Sequence, residues 1–371
     1  MPVTHHKQSI ALASLVVMML ITGCLVEQEK PITPSKQIQQ SSLSLKTYVG
    51  RQACVDCHAK QDQLWQGSHH KLAMQIANDK TVLGDFADAE FNYQGVLTRF
   101  FKTDDHFYVN TDGPDGELAD FEIKYTFGVE PLQQYLIEFT GGRLQAFSIA
   151  WDNRPQEKGG QRWFHLYPNE SIDFTHEMHW TKRLQNWNFM CAECHSTNLQ
   201  KNYNPLDRTY DTSWSDINVA CEACHGPASH HVIWAKRGTG FEQIDNDTKG
   251  LAIHLDASIQ TQRKADTVSH TAKIDPLRNT NSNLEIQVCA HCHSRRIQLF
   301  TDFRHGSLFD SHLPSLLQSE LYHVDGQIKE EVYEYGSFLQ SKMFQAGVTC
   351  SNCHEPHSLE LRAPGNQVCM Q

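Results

Sequence analysis

The segment Cys54-Val55-Asp56-Cys57-His58 is the first of five in which two cysteines, separated by two residues, are followed at once by a histidine. The other four are Cys191-Ala192-Glu193-Cys194-His195, Cys221-Glu222-Ala223-Cys224-His225, Cys289-Ala290-His291-Cys292-His293 and Cys350-Ser351-Asn352-Cys353-His354. These five motifs, numbered here in chain order, hold ten of the 12 cysteines in the 371-residue chain. A Cys-x-x-Cys-His sequence is typical of the covalent attachment of c-type haem.

The chemistry of attachment explains the spacing. Two thioether bonds form to the two vinyl groups at one edge of a porphyrin, and the next residue lies under the iron. We therefore predict five covalently bound haems c per chain. The predicted porphyrin-binding residues are Cys54, Cys57, Cys191, Cys194, Cys221, Cys224, Cys289, Cys292, Cys350 and Cys353. The predicted proximal iron ligands are His58, His195, His225, His293 and His354.

Cysteine pairs have two other common uses in proteins. A zinc ribbon has a tetrahedral site that takes Cys-x-x-Cys pairs in twos. A disulfide framework is common in exported proteins. Neither requires a histidine directly after each of five pairs, so the haem interpretation is preferred.

The N-terminus has the pattern of an export signal. Lys7 precedes the apolar run from Ile10 to Ile21, which is shorter than the roughly 20 residues that span a bilayer. The run ends in Ile21-Thr22-Gly23-Cys24, which resembles a bacterial lipobox and implies lipid attachment at Cys24; the alternative is an ordinary signal peptide. We expect an exported, periplasmic protein with a lipid anchor, at the outer membrane because Leu25 and not Asp follows the cysteine.

Composition excludes one class of partner. Lys and Arg number 32 against 43 Asp and Glu, and the formal charge is −11. Nucleic-acid binding requires a basic surface, so no nucleic-acid partner is expected. The expected partners are redox proteins or quinol-linked donors.

The positions of the motifs and the changes in composition divide the chain. The prediction is a signal peptide at 1–23, a tether at 24–46, a first haem module at 47–87, an inserted antiparallel β region at 88–152, second and third haem modules at 153–237, a polar loop at 238–283, and fourth and fifth haem modules at 284–371. The fold class is α+β with much irregular structure, in which short helices and loops surround haems and a small antiparallel β-sheet is inserted.

Alternation of apolar and polar residues predicts the sheet. Phe121, Ile123, Tyr125 and Phe127 alternate with polar residues, which is typical of a half-buried strand. Downstream, the pattern of 135–151 around a Gly-Gly pair predicts a second hairpin.

Helical spacing is found near the motifs. Trp65, Leu72 and Ile76 have the spacing of one helix face, and residues Phe338 to Gln345 precede a stop at Gly347. Both stretches are predicted to be helical.

Fifteen histidines remain when the motif histidines, His5 and His6 are set aside. This surplus predicts bis-histidine ligation, which closes the iron to substrates and gives a low potential, whereas a Met ligand would raise it. The predicted distal ligands are His70, with His69 as the alternative, His165, His179, His231, with His230 as the alternative, and His357. His176 and His323 are reserve candidates, and His254 and His270 are expected to be solvated.

Several segments resemble the cytochrome c-554 type of multihaem cytochrome. The opening similarity lies in Tyr48-Val49-Gly50, Ala53-Cys54, Cys57-His58, Trp65, Ser68, His70, Ala73 and Met74. Residues 127–135, 159–168 and 186–188 look like exported bacterial multihaem proteins that carry a C-terminal tetratricopeptide region. The resemblance covers residues 48–371 and implies that His70, His179, His231 and His357 lie beside the motifs; the helical repeats are missing here.

The resemblance and the motifs imply a protein that transfers single electrons between redox partners, and a carrier is favoured over an enzyme. The alternative is an oxidoreductase with one open haem that acts on a small nitrogen or sulfur compound. A scaffold with structural haems is the third choice, since five redox centres exceed what a core needs.

The sequence also predicts a sixth motif that is cut short. It ends in Val368-Cys369-Met370-Gln371, the first part of a Cys-x-x-Cys-His sequence, and the alternative is an incidental Cys369. A longer chain would then hold a sixth haem.

Replacing Cys24 by Ser tests the anchor. Without the thiol no thioether-linked lipid can form, so Cys24→Ser is expected to release the protein from the membrane fraction into the soluble periplasmic fraction. Fractionation followed by haem staining measures the effect, with Cys369→Ser as the control. Unchanged membrane association of Cys24→Ser would contradict the prediction.

Overall fold

The computed structural model describes residues 45–255, 280–300 and 307–370. The predicted signal peptide, Cys24, most of the tether, and the part of the polar loop that contains His270 lie outside these residues. In the described ranges, no helix is long and apolar enough to cross a bilayer.

The helices are short, and most carry or adjoin a motif. They are α1 (Gln52–Val55), α2 (Ala59–Gln66), α3 (Trp187–Met190), α4 (Ala192–His195), α5 (Cys221–His225), α6 (Ser229–Ala235), α7 (Thr280–Ala290), α8 (Glu334–Gln340), α9 (Lys342–Gln345) and α10 (Cys350–Cys353). In a helical turn, residues three apart lie on the same face. The two cysteines of a motif have this spacing, so a single helical turn places both thiols on the same side.

The strands lie mainly between the first and second motifs. They are β1 (Met74–Ile76), β2 (Ala87–Tyr93), β3 (Val96–Thr103), β4 (His106–Asp112), β5 (Leu118–Phe127), β6 (Leu132–Phe139), β7 (Arg143–Ala146), β8 (Ile149–Asp152), β9 (Arg162–His165), β10 (Tyr203–Asn204), β11 (Thr209–Tyr210), β12 (Arg296–Gln298) and β13 (His312–Pro314).

One large antiparallel sheet contains the first nine strands. Its order is β2-β3-β4-β5-β6-β8-β9, with β1 paired to β5 and β7 paired to β6. The sheet is nearly closed, since the hydroxyl of Tyr93 in β2 donates to the carbonyl of Tyr167 just after β9. The antiparallel sheet predicted for 88–152 is present, and β1 and β9 extend it from sequence on both sides.

Three sequence predictions of local structure differ from the fold. Trp65 lies in α2, but Leu72 follows it in a turn and Ile76 lies in β1, so the predicted helix was wrong. Three residues at helical spacing do not specify a helix when β5 offers hydrogen bonds to the second half of the segment; Met74 pairs with Phe127 there.

Elsewhere the boundaries differ. The predicted second hairpin is confirmed, since β6 pairs with β7 across Gly141-Gly142, and its returning arm is divided into β7 and β8, which pair with opposite ends of β6. The helix predicted for 338–345 is divided into α8 and α9 at Ser341, whose side chain caps α9 by accepting from Phe344 N. The helix α7 begins inside the predicted polar loop.

An aromatic core fills the sheet. Phe100 is 1% exposed and stacks on Trp163 with ring centroids 3.6 Å apart, and Phe86 meets both rings edge-on. Gly84 lies so close that a Cβ there would come within 2.6 Å of the Trp163 ring. The core therefore requires a residue without a side chain at this position.

A second cluster joins the sheet to the haem-motif region. Met74 in β1 and Trp187 in α3 are both 0% exposed and pack with Phe127, Leu144 and Ala192. Ala192 is the residue directly after the first cysteine of the second motif. The sheet therefore supports this motif through an apolar contact.

Removing the Phe100 ring tests the sheet core. Phe100→Ala is expected to lower the free energy of unfolding by about 3–5 kcal/mol, because it removes a stacked, buried ring and leaves a cavity. Leu97→Ala, on the same strand but 45% exposed, is the matched control and should cost less than about 1 kcal/mol. Denaturant titration followed by tryptophan fluorescence measures both variants, and equal losses would contradict the prediction.

Candidate haem-binding sites

The motif cysteines are present as thiols. Each of the eleven cysteines in the described ranges is free, including all ten motif cysteines. Thioether formation needs a thiol, so these side chains fit covalent haem attachment.

The first and third motifs lie against each other. The side chains of Cys54 and Cys221 lie next to each other. Next to this contact, the carboxylate of Glu222 accepts hydrogen bonds from the backbone N–H groups of Val49, Gly50 and Ala228 at 2.8–3.0 Å. The third motif thus holds the chain that leads into the first motif.

The second and fourth motifs meet in the same way. The side chains of Cys194 and Cys292 lie next to each other. The carboxylate of Glu193 accepts from Arg296 Nη1 and from His312 Nε2, each at 2.9 Å. Burial raises the pKa of Glu193, but the His312 hydrogen bond and the Arg296 charge outweigh it and hold that pKa below its ordinary value.

The fourth motif also contacts the fifth. The side chains of Cys289 and Cys350 lie next to each other. The carboxylate of Glu285, in α7, accepts from Ser351 N at 2.6 Å and from Ser351 Oγ at 2.8 Å. The fourth motif therefore adjoins the second and the fifth, and its His293 faces His70, which follows the first motif, at 6.3 Å.

The first motif histidine faces a histidine that follows the third motif. The ring centroids of His58 and His231 are 6.1 Å apart. Two imidazoles on opposite sides of one metal ion have centroids about 6 Å apart, because each metal–nitrogen bond is about 2 Å long and each nitrogen lies about 1 Å from its ring centroid. The Nδ1–H of His231 donates to Lys249 O at 2.9 Å, which leaves Nε2 for a metal.

The fourth motif histidine has a similar partner. The ring centroids of His70 and His293 are 6.3 Å apart. The Nδ1 of His293 bonds the carboxylate of Glu334 at 3.3 Å, an arrangement common behind metal-bound imidazoles. Burial, with the charges of His293 and His69, lowers the pKa of His70 to about 4, so this ring is neutral and has a lone pair to give.

His225, in the third motif, lies near the predicted ligand His357. Burial, and then the charges of His357 and His58, lower the pKa of His225 to about 4. The Nδ1 of His357 bonds Glu355 Oε1 at 3.0 Å. Both rings can therefore present Nε2 to a metal.

The other two motif histidines are oriented by backbone carbonyls. The Nδ1–H of His195 donates to Ala73 O at 2.9 Å, and that of His354 to Leu359 O at 3.1 Å. A bond at Nδ1 fixes the ring and leaves Nε2 for iron. His195 also meets the edge of the Phe127 ring at 5.5 Å.

His165 and His179 lie at the sheet, beside a cavity of about 30 Å³. His179 bonds Thr181 Oγ1 at 2.8 Å and Asp112 Oδ2 at 3.2 Å, so both ring nitrogens are engaged. His165 stacks on Tyr93 at 3.7 Å. The structure thus places these two predicted ligands among sheet residues, where an iron bond at His179 would have to replace a hydrogen bond.

Sequence reasoning missed the three carboxylates. Glu193 and Glu222 occupy positions inside motifs that the motif leaves variable, and Glu285 precedes the fourth motif. Their hydrogen-bond partners lie between 6 and 173 positions away in the sequence. The one sequence feature that pointed to these carboxylates was an acidic residue between the cysteines of a motif. A solvated side chain is the usual expectation at such a position.

The residues fit haem c as a group. The described residues have pairs of free thiols and a histidine after each pair that could bind a metal. They also have two histidine pairs at the separation of bis-imidazole ligation. Cys54, Cys57 and His58 would hold the first haem, with the corresponding residues of each later motif holding the others.

Comparisons with solved structures give distant likenesses. One is the outer cell wall cytochrome OcwA, with 17% identity, a TM-score of 0.49, and coverage of 87% of this chain and 66% of that one. Another is an undecahaem cytochrome from the S-layer of Carboxydothermus ferrireducens, with 18% identity, a TM-score of 0.39, and coverage of 88% of this chain and 43% of that one. Among curated proteins none matches the sequence.

A family model gives a more specific result. Residues 53–91 and 151–226, less than half of the chain, match the family of cytochrome c554 and c-prime. These two segments contain the first three Cys-x-x-Cys-His motifs, and the fourth and fifth lie outside them. Together with the five motifs, this match supports the interpretation of the chain as a multihaem c-type cytochrome.

Proposed function

We propose that this protein is a five-haem electron carrier that passes single electrons between redox partners outside the cytoplasm. The observation that carries the proposal is the closeness of all five motifs: cysteines of different motifs meet at three contacts, and the ring of His70, which follows the first motif, faces His293 of the fourth. Each cysteine marks the edge of a haem site, so the contacts bring the edges of neighbouring sites together. An electron carrier needs haem sites that adjoin one another, and isolated haem sites would not meet that need.

Haem c, when bound, supplies an iron that takes up and gives up one electron. The chain's own residues decide what else can reach that iron. His58 with His231, and His293 with His70, would occupy both axial positions and leave no place for a substrate. Two imidazoles also favour a lower potential than a histidine–methionine pair.

We assign His231 to the first site and His70 to the fourth, and His357 to the third on its proximity to His225. For the second and fifth sites, His195 and His354 are oriented for iron through Nδ1. His165 and His179 stay candidates from the sequence without such a pairing. The lipid anchor at Cys24, export, and quinol-linked or protein partners belong to the same proposal.

One feature favours the alternative, an oxidoreductase with one open haem acting on a small nitrogen or sulfur compound. His354, the fifth motif histidine, is exposed like His58 and His293, but unlike them it has no assigned distal ligand. A site there with a free axial position would admit a small molecule.

The haem content is the first test. An alkaline pyridine haemochrome assay is expected to give about five haems per chain, one for each motif. Replacing Cys221 and Cys224 together by Ser should remove one of them, while Cys369→Ser should remove none. Two or fewer haems in the unaltered protein would refute the proposal.

Electron paramagnetic resonance tests the ligation. The oxidised protein is expected to show low-spin iron at all sites, and His231→Ala should add a high-spin signal equivalent to one haem by opening one axial position. His69→Ala, which removes the exposed neighbour of His70, is the control and should add none. A high-spin signal in the unaltered protein would favour the oxidoreductase instead, and an unchanged spectrum of His231→Ala would remove His231 as a ligand.

A further inference from the structure

Three contacts between motifs share one construction. In each, cysteines of two motifs lie next to each other, and one carboxylate bridges the same two stretches of chain. The contacts join motifs one and three, two and four, and four and five, and are called junctions below. The bridging residues are Glu222, Glu193 and Glu285.

The junction of motifs one and three has the most buried carboxylate. Glu222 is 1% exposed, and a buried carboxylate is costly unless its oxygens are hydrogen-bonded. Val49 and Ala228 donate to Oε1, and Val49 and Gly50 donate to Oε2. Burial and then the charge of Glu222 raise the pKa of Tyr48 to about 12. The carboxylate therefore fixes the chain before Cys54 to the helical turn that carries Cys221.

The helical turn that carries Cys221 also fixes the segment that leads to His231, a proposed distal ligand. Ala228, whose N–H donates to Glu222, directly precedes the helix α6, which contains His231. His231 faces His58 of the first motif. One side chain thus fixes both halves of the first site, the motif side and the distal side, relative to the third motif.

The other two junctions use the same chemistry with different donors. Glu193 lies between the cysteines of motif two and binds Arg296 and Gln298, which follow motif four. Arg296 also donates to the Cys194 thiol at 3.5 Å. Glu285 precedes motif four and binds the backbone and hydroxyl of Ser351, between the cysteines of motif five. Each of the three carboxylates therefore belongs to a residue that lies inside a motif or close to one in the sequence.

We propose that Glu222, Glu193 and Glu285 are positioning residues that set the distance and orientation between neighbouring haem sites. Charge-assisted hydrogen bonds are short and directional, so a carboxylate that binds two motif segments holds their cysteines in one relative position. The inference rests on the proposed five-haem function, because its consequence is the coupling between neighbouring haems.

The test is the replacement of Glu222 by Gln. The amide NH₂ cannot accept, so one oxygen's hydrogen bonds to the backbone N–H groups are lost and the junction loosens. Circular dichroism in the Soret region reports the coupling of neighbouring porphyrins, and Glu222→Gln is expected to lose part of the Soret couplet with the haem content still five. Asp56→Asn is the matched control: it removes the same charge from an exposed position inside a motif and should leave the couplet intact.

A milder variant protects the test against misfolding. Ser351→Ala removes the 2.8 Å hydrogen bond to Glu285 Oε2 and a 3.4 Å hydrogen bond with the neighbouring Thr349 Oγ1, and a smaller loss of the couplet is expected, with Ser358→Ala as the control. Five haems with an unchanged couplet in both Glu222→Gln and Ser351→Ala would overturn the inference and leave the five-haem function standing. Fewer haems in the unaltered protein would count against the proposed function instead.

Discussion

The contact between cysteines of different motifs is the constraint on which the arrangement of this molecule depends. A cysteine in a Cys-x-x-Cys-His motif marks the edge of a haem site, so a contact between two such cysteines fixes how two sites meet. The contacts Cys54–Cys221, Cys194–Cys292 and Cys289–Cys350 connect motifs that are up to 167 positions apart in the chain. The short helices and irregular segments follow from this requirement, since each must deliver a motif to its neighbour.

The large sheet serves the same group of motifs from one side. Met74 pairs with Phe127 in the sheet, while the carbonyl of Ala73, one residue earlier, accepts the Nδ1–H of His195. The position of that imidazole is therefore set by a strand at the sheet edge. Packing of Trp187 and Ala192 against the sheet supports the same motif from its other side.

Local chemistry could be predicted from the sequence, and long-range geometry could not. The motif residues, the alternation from Phe121 to Phe127, and the candidates His70 and His231 are visible in short stretches. The partners of Glu222 are not, because Val49 and Gly50 carry no pattern that points to a carboxylate more than 170 residues later. Spacing also misassigned Ile76, since the hydrogen bonds that make it a strand come from β5.

The thiol contacts have a consequence for how the protein is made. Where Cys54 and Cys221 touch in the folded polypeptide, an oxidant could remove two electrons and two protons and join them as a disulfide. That bond would use one thiol from each of two motifs and block porphyrin attachment at both. In an oxidising compartment, attaching porphyrin to each motif before folding brings the motifs together would avoid this bond, because no thiol would then remain at the contact.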